Sequence, residues 1–241
     1  FATRMTDKLV HWAKTTPEHS FVAQRERLAD GSTGQWQHIS FAQMLDNARR
    51  IGQALVNRGL SAERPVVILS ENHLDHLSLA MGCLYAGVPY CSVSAAYSLV
   101  STDYAKLRHV VETLTPGLIF AQDAARYAKA IAAVRPSDCE VVYSEAAHQV
   151  VPHTLFADLL ATEPTASVDA AMQATGPETI TKFLFTSGST KLPKAVINTH
   201  RMWCANQQQI AQTMPDMAKG QPVLVDWLPW NHTFGGNKNI G

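Results

Sequence analysis

Residues 180–198 read ITKFLFTSGSTKLPKAVIN, two apolar segments of strand type around a loop of hydroxyls, a glycine and two lysines. Phosphate oxygens need donors that converge from several directions, and hydroxyls, free backbone amides and a lysine ammonium supply them. The stretch therefore has the residue types of a loop that cradles a triphosphate. It is not a Walker loop, because G-x-x-x-x-G-K-[ST] is absent and no helix start follows the lysine. The alternative interpretation is a polar hairpin turn, which would be preferred if the loop contained only Ser, Thr and Gly. Pro193 and Lys194, which follow the hydroxyl residues, argue against this alternative.

The chain before this stretch alternates apolar strands with amphipathic helices. Strands are predicted at 66–69, 88–93, 118–121 and 140–143, and helices at 74–86, 102–114 and 123–134. This alternation is typical of an α/β fold in which mainly parallel sheets are flanked by helices.

The first sixty residues are predicted to hold a short helix, a hairpin and a longer helix. Thr6 is expected to cap the short helix, and residues 20–27 and 35–39 flank a turn sequence that predicts the hairpin. Ser40 is expected to begin the longer helix, and Gly59 lies where a left-handed residue would end it.

Residues 152–177 have weak periodicity and several turn-forming residues. We interpret them as a connector with one short helix near 155–160. A subdomain boundary is predicted within this connector.

Composition excludes several classes of protein. Of 241 residues, 46% are hydrophobic and 17% are charged, so a large part of the chain should be buried. Lys plus Arg and Asp plus Glu both count 20, and this zero net charge gives no global field that would recruit nucleic acid or anionic lipid. Reduced thiols in a cytoplasmic protein, with no zinc site, are expected because no C-x-x-C pair occurs among Cys83, Cys91, Cys139 and Cys204.

Residues 77–102 contain no charged side chain over 26 positions, long enough to span a bilayer. Gly82, Gly87 and Pro89 break the run into a helix, a turn and a strand. We therefore predict a buried α/β segment and no membrane span.

The decapeptide TSGSTKLPKA at 186–195 closely resembles the phosphate-binding signature T-S-G-[ST]-T-G-x-P-K-G of adenylate-forming enzymes. This superfamily includes acyl- and aryl-CoA synthetases, luciferases and peptide-synthetase adenylation domains. Lys191 and Ala195 each stand where the signature has glycine. If position 191 needs a positive φ, lysine there costs about 1 kcal/mol; alternatively, it adds a second charge that faces phosphate.

Two further runs support the resemblance. WLPWNHTFGG at 227–236 resembles the next motif of the superfamily, a strand end followed by P-x-x-H-x-x-G, in the form typical of feruloyl-CoA synthetase-like enzymes. YCSVSAAYSL at 90–99 is similar to a buried run of the same group, with Cys91 and Ala95 as departures. The resemblance identifies residues 1–241 as an incomplete N-terminal part of the large domain of an ATP-dependent acyl- or aryl-CoA synthetase.

The resemblance implies a reaction and a set of site residues. A carboxylic acid, with hydroxycinnamate as a candidate, would react with Mg²⁺-bound ATP to give an acyl-adenylate, and CoA would take the acyl group. His232 would lie beside the acyl carboxylate and would share the catalytic role with Lys194, and no metal ligand is assigned to the chain. The β- and γ-phosphates would be held by Thr186, Ser187, Gly188, Ser189, Thr190 and Lys194. The family's Y-G-x-T-E and T-G-D motifs and its C-terminal lysine are expected in a C-terminal remainder, so these residues alone should not complete the reaction.

Several interpretations stay open at this stage. The parent protein could instead load a carrier protein, or the chain could be a non-catalytic, truncated nucleotide-binding or interaction module. His232 could cap a strand end, and Trp230 and Phe234 could line an aromatic acyl pocket or belong to the core. His73 and His76 could share a metal but are expected to be solvated or hydrogen-bonded. A small core residue is expected at Cys204.

Overall fold

The computed structural model describes residues 2–28, 30–145, 151–186, 192–216 and 222–241. Its strands are β1 Ser20–Arg27, β2 Thr33–Ser40, β3 Val66–Leu69, β4 Tyr90–Ser92, β5 Leu118–Asp123, β6 Glu140–Glu145, β7 Thr154–Leu155, β8 Ile180–Thr186 and β9 Lys194–Thr199. Its α-helices are α1 Met5–Thr15, α2 Phe41–Asn57, α3 Leu74–Ala86, α4 Ala96–Leu99, α5 Ala105–Leu114, α6 Ala124–Val134, α7 Phe156–Leu160, α8 Ala166–Ala174 and α9 His200–Thr213. A π-helix spans Phe234–Asn239.

A seven-stranded sheet runs in the order β7-β6-β5-β3-β4-β8-β9. The strands from β7 to β8 are parallel, and β9 returns antiparallel to β8. A separate antiparallel hairpin is formed by β1 and β2. The predicted α/β fold with a mainly parallel sheet flanked by helices is therefore confirmed, as is the predicted hairpin.

Helices cover both faces of the sheet, and each face has its own hydrophobic core. Because side chains alternate along a strand, Val66 and Ile68 of β3 enter one core, with α2 and α3. Val67 and Leu69 enter the other, with α5 and α6. Most of residues 77–93, in the segment weighed against a membrane span, are buried between these layers. Within the described ranges, no helix is long and apolar enough to cross a membrane.

The helix starts near the N-terminus correct one prediction and confirm another. Thr6 does not cap α1; Arg4 does, and its backbone N–H donates to the Asp7 carboxylate at 3.0 Å. The helix therefore starts two residues earlier than predicted, and Thr6 lies inside it on the buried side. The longer helix begins at Ser40 as predicted, and Ser40 is its cap, with the Gln43 N–H donating to the Ser40 hydroxyl at 3.3 Å. Gly59 adopts φ +64°, as its predicted place at the helix end requires.

The 152–177 segment holds more structure than predicted. The short helix is confirmed as α7, but a second helix, α8, follows it, so the prediction of one helix is wrong. Only Val168 and Met172 of α8 are buried, so its apolar periodicity is weak. A subdomain boundary in this segment stays a prediction.

Close packing of α2 on α3 generates a test of the fold. A Cβ placed on Gly82 of α3 would lie 2.7 Å from the Cβ of Ile51 on α2, both on backbone that cannot easily move. Gly82→Val should lower the free energy of unfolding by about 1–3 kcal/mol, measured by urea denaturation. Gly176→Val is the control, because a Cβ there meets nothing within 4 Å, and it should stay within about 0.5 kcal/mol of the wild type. Equal effects of the two substitutions would contradict this packing.

Candidate active site

A cleft of about 220 Å³ lies where β4 and β8 end. In parallel α/β sheets, ligands bind outside the carboxyl ends of the strands. The cleft is lined by Ser92, Val93, Ser94, Tyr97, Leu184, Phe185, Thr186, Asn231, His232 and Thr233. Two residues predicted from separate motifs, Thr186 and His232, thus share one cavity.

The β8–β9 hairpin carries the two ends of the predicted phosphate loop. Thr186 and Lys194 are register partners across the hairpin, and both side chains are exposed. Lys194 does not belong to the lining of the cleft. Ala195, which stands where the signature has glycine, lies in β9 and pairs with Phe185 of β8. The backbone of a strand is extended, so alanine fits at this position. The predicted residues Ser187, Gly188, Ser189 and Thr190, together with Lys191, lie outside the described residues.

His109 of α5 contacts the exit of this loop. Its Nε2 lies 2.9 Å from the Pro193 carbonyl oxygen, which can only accept a hydrogen bond, so Nε2 must carry a proton. The ring also packs edge-on against Phe185, with centroids 6.3 Å apart. The loop exit is therefore tied to the helical layer next to the cleft.

His232 lies in a turn that is closed by hydrogen bonds between its own residues. Its N–H donates to the Pro229 carbonyl at 3.0 Å, and the Gly236 N–H donates to the His232 carbonyl at 2.8 Å. The Phe234 N–H donates to Nδ1 at 3.4 Å. Since Nδ1 accepts, the hydrogen-bond network assigns the proton of the neutral ring to Nε2. His232 can then offer an N–H donor from its exposed side chain.

The glycine pair after His232 is required by this turn. A Cβ on Gly235 would lie 2.5 Å from the Pro229 carbonyl oxygen and 2.8 Å from that of Leu228. A Cβ on Gly236 would collide with the Trp230 carbonyl oxygen. The turn can close on itself only with glycine at both positions.

The two aromatic residues of this motif have different places. Trp230 is in the core, where it packs edge-on against His76 at 5.0 Å between ring centroids and donates to Asp226 at 2.7 Å. Phe234 is 48% exposed and lies under the Lys238 ammonium, 4.7 Å from the ring centroid. Neither side chain lines the cleft. Of the two, only Trp230 belongs to the core, and Phe234 lies at the surface.

The strand end expected before Pro229 is not observed, because residues 222–228 have no strand neighbour in the described part of the chain. Val223 and Val225 are 90% and 91% exposed. Asp226 instead faces back into the turn, where it accepts hydrogen bonds from Trp230 Nε1 and Asn239 Nδ2.

His76 is fully buried behind the cleft wall, and burial lowers its pKa to about 4, so the ring is neutral at physiological pH. Its Nδ1 lies 3.1 Å from the Glu71 carbonyl and its Nε2 lies 2.8 Å from Ser92 Oγ. The carbonyl only accepts, so Nδ1 holds the proton and Nε2 accepts from the Ser92 hydroxyl. The prediction that His73 and His76 are hydrogen-bonded is confirmed, since His73 accepts from the Asp75 N–H at 3.2 Å. No group of three metal-ligating side chains occurs in the described ranges.

Lys182, on β8, was missed as a functional candidate. Its ammonium lies 3.4 Å from the centroid of the Trp203 ring and donates to the Gly236 carbonyl, and burial lowers its pKa well below the usual value. A charged residue within a mostly apolar strand was the available signal. Cys204 is buried in α9 as predicted, and burial raises the pKa of its thiol to about 11.

A family model described as AMP-binding enzyme matches residues 9–239. The chain belongs to this family. "Fatty acyl-CoA synthetase B" of Dictyostelium discoideum is 25% identical over 240 residues, covering 95% of this chain and 34% of that protein. "Fatty acyl-CoA synthetase A" of the same organism is 28% identical over 230 residues, covering 90% and 33%. The chain thus spans about a third of the length of these curated relatives.

Solved structures of the family share the fold. The "fatty acid AMP ligase from Legionella pneumophila" aligns with a TM-score of 0.75 at 18% identity, over 99% of this chain and 37% of that one. The adenylation domain of a keto acid-selecting NRPS module aligns with a TM-score of 0.71 at 22% identity, over 99% and 39%. The expected architecture of an adenylate-forming enzyme is confirmed by these alignments.

The buried histidines His76 and His200 should make the free energy of unfolding depend on pH. Burial lowers the pKa values of His76 and His200 to about 4, against about 6.5 in an unfolded chain. Between these values the unfolded state binds more protons, so stability is fully present above pH 6.5 and is lost as the pH falls. Each histidine should lower the free energy of unfolding by about 1.5 kcal/mol between pH 6.5 and 5.

Urea denaturation at several pH values measures this loss. His76→Gln keeps a side chain that can bond Ser92 and should remove the contribution of His76, about 1.5 kcal/mol, from the loss of stability. A profile that is flat from pH 6.5 to 5 would contradict the neutral, buried state of both rings.

Proposed function

We propose that the protein containing this chain adenylates a carboxylic acid with ATP and transfers the acyl group to CoA. The observation that carries the proposal is that Thr186, at the start of the phosphate loop, and His232 line one cleft. Membership of the AMP-binding enzyme family and likeness to fatty acyl-CoA synthetases support it.

The proposed chemistry is in-line transfer, in which a carboxylate oxygen attacks the α-phosphorus of ATP and pyrophosphate leaves with the electrons of the broken P–O bond. The CoA thiolate then attacks the acyl carbon, and AMP leaves. Catalysis of such steps depends on positioning and on neutralising charge. Thr186, Lys194 and the loop between them would hold the phosphates, and the Nε2–H of His232 would bind the reacting carboxylate. Mg²⁺, bound to ATP, would neutralise triphosphate charge when present.

We further propose an aromatic acid of the hydroxycinnamate type as substrate and the cytoplasm as the location. The substrate class is supported by the similarity of residues 90–99 and 227–236 to feruloyl-CoA synthetase-like enzymes, and by Tyr97 and Phe185 in the cleft lining. The location is supported by the free thiols of all four cysteines.

Loading of a carrier protein is the second candidate. It is favoured by likeness to the adenylation domain of a keto acid-selecting NRPS module and to the "Indigoidine synthase" of Streptomyces lavendulae, which is 26% identical over 163 residues, 68% of this chain and 11% of that protein. The two candidates differ only in the thiol that accepts the acyl group.

One experiment separates these outcomes. Protein expressed from the complete reading frame is assayed for acid-dependent pyrophosphate release with ferulate, cinnamate, a long-chain fatty acid and a keto acid, and then for acyl transfer to CoA or to a phosphopantetheinylated carrier protein. Ferulate-dependent release followed by feruloyl-CoA formation is the expected result. Transfer to the carrier alone would favour the second candidate. Failure to bind Mg²⁺-ATP in calorimetry, with no release, would contradict the proposal and favour a non-catalytic module.

Substitutions of His232 in the cleft and of Lys194 on β9 should have different kinetic effects. His232→Ala should lower kcat by about 10²–10³ with little change in the KM for ATP, because it removes a donor to developing charge. Lys194→Ala should raise the KM for ATP by about tenfold or more, because it removes a charge-assisted contact to phosphate. Lys8→Ala, on the exposed side of α1, is the matched control and should leave both constants unchanged. The assignment of roles would be wrong if His232→Ala changed only the KM for ATP.

A further inference from the structure

The segment that carries His232 is fastened by its backbone to other parts of the fold. On the N-terminal side, the side-chain amide of Asn72, just after β3, makes two hydrogen bonds to it. Its Nδ2 donates to the Leu228 carbonyl at 2.9 Å, and its Oδ1 accepts from the Trp230 N–H at 3.1 Å. One planar amide therefore fixes the backbone two and four residues before His232.

The C-terminal side of the turn is fastened in the same way. The buried Lys182 ammonium donates to the Gly236 carbonyl. One residue later, the Asn237 carbonyl accepts from Trp203 Nε1 at 2.9 Å and from Gln207 Nε2 at 2.6 Å. The Lys182 bond is buried, and a low local dielectric strengthens such a hydrogen bond.

These bonds set where His232 lies relative to Thr186 and β8. Lys182 lies on β8, four residues before Thr186, so its bond to Gly236 ties the His232 turn to the strand that leads into the loop. Asn72 follows β3, the strand next to β4 in the sheet. Neither side chain lines the cleft, so neither can act on a ligand there directly.

We propose that Asn72 and Lys182 are positioning residues that hold the His232 turn, and hence its Nε2 donor, at the cleft. The kinetic part of this proposal rests on the proposed function, and the structural part does not. Small displacements of such a donor have large effects on rate, because catalysis by positioned groups depends on near-attack geometry.

The structural part is tested by hydrogen–deuterium exchange on protein from the complete reading frame. Asn72→Asp keeps the acceptor oxygen, removes the donor to Leu228 and should raise amide exchange within 229–237 at least about tenfold. Exchange in β3 and β5 should stay within about twofold of the wild type. Asn57→Asp is the matched control, because it makes the same change on α2, where the side-chain oxygen accepts from Gln53. Unchanged exchange in 229–237, or an equal rise throughout the molecule, would overturn the proposal.

Lys182→Met removes the other donor while keeping an unbranched side chain, and it should raise exchange in the same segment, most at the Gly236 end. If this buried substitution prevents folding, Asn72→Asp still decides the outcome.

A double-mutant cycle tests the kinetic part. Asn72→Asp should lower kcat at least about tenfold with the KM for ATP within about twofold. Combined with His232→Ala, it should lower kcat no further than His232→Ala alone, because residues that act through one group are non-additive. Full additivity would overturn positioning through His232. An inactive wild type would refute the proposed function, and the exchange experiment would still decide whether the two side chains hold the turn.

Discussion

The pairing of β8 with β4 is the constraint on which the site depends. Their parallel register, Tyr90 opposite Lys182, joins the β8–β9 hairpin to the rest of the sheet. It brings Thr186 to the same edge as Ser92 and Ser94, where the cleft opens. Because side chains alternate between faces, a slip of one residue would turn Lys182 away from Trp203 and release the Gly236 carbonyl. The register thus sets both the cleft and the support of its histidine.

The sheet and its covering helices could be predicted because local signals agreed with burial. Residues 66–69 are a continuous apolar run and form a strand buried on both faces, and residues 74–86 form the predicted helix to the residue. The prediction of the cap of α1 was wrong because another residue took the capping position. Thr6 has a side chain that often caps helices, but Arg4 takes the capping position, because its N–H donates to the Asp7 carboxylate. The helix therefore starts earlier than predicted. Helix α8 buries too few residues to show a period.

The site was predictable only as far as its motifs reached. Thr186 came from a run whose residue types match phosphate chemistry, and His232 came from a run that resembles a motif of the superfamily. The structure brings both to one cleft. Asn72 and His76 carry no such local signal, and for Lys182 the only local signal is a charged residue within a mostly apolar strand. The partners of Asn72 and Lys182 are distant in sequence: Asn72 bonds a carbonyl 156 residues away, and Lys182 bonds one 54 residues away. Hydrogen bonds from side chains to remote backbone follow from the tertiary fold and have no sequence period.

Burying an amine and a neutral imidazole beside the cleft is costly, since each loses hydration that an apolar side chain would not have to give up. An apolar residue at Lys182 would pack against Trp203, but it would leave the Gly236 carbonyl without this donor and the turn free to shift. Non-directional packing sets volume, whereas a hydrogen bond sets direction and distance. The role proposed for His232, in which one imidazole nitrogen faces a carboxylate, requires control of direction and distance. The side chains of Asn72 and Lys182 that bond residues 228–236 therefore give up hydration for a fixed turn geometry, and this is the geometry that the role proposed for His232 requires.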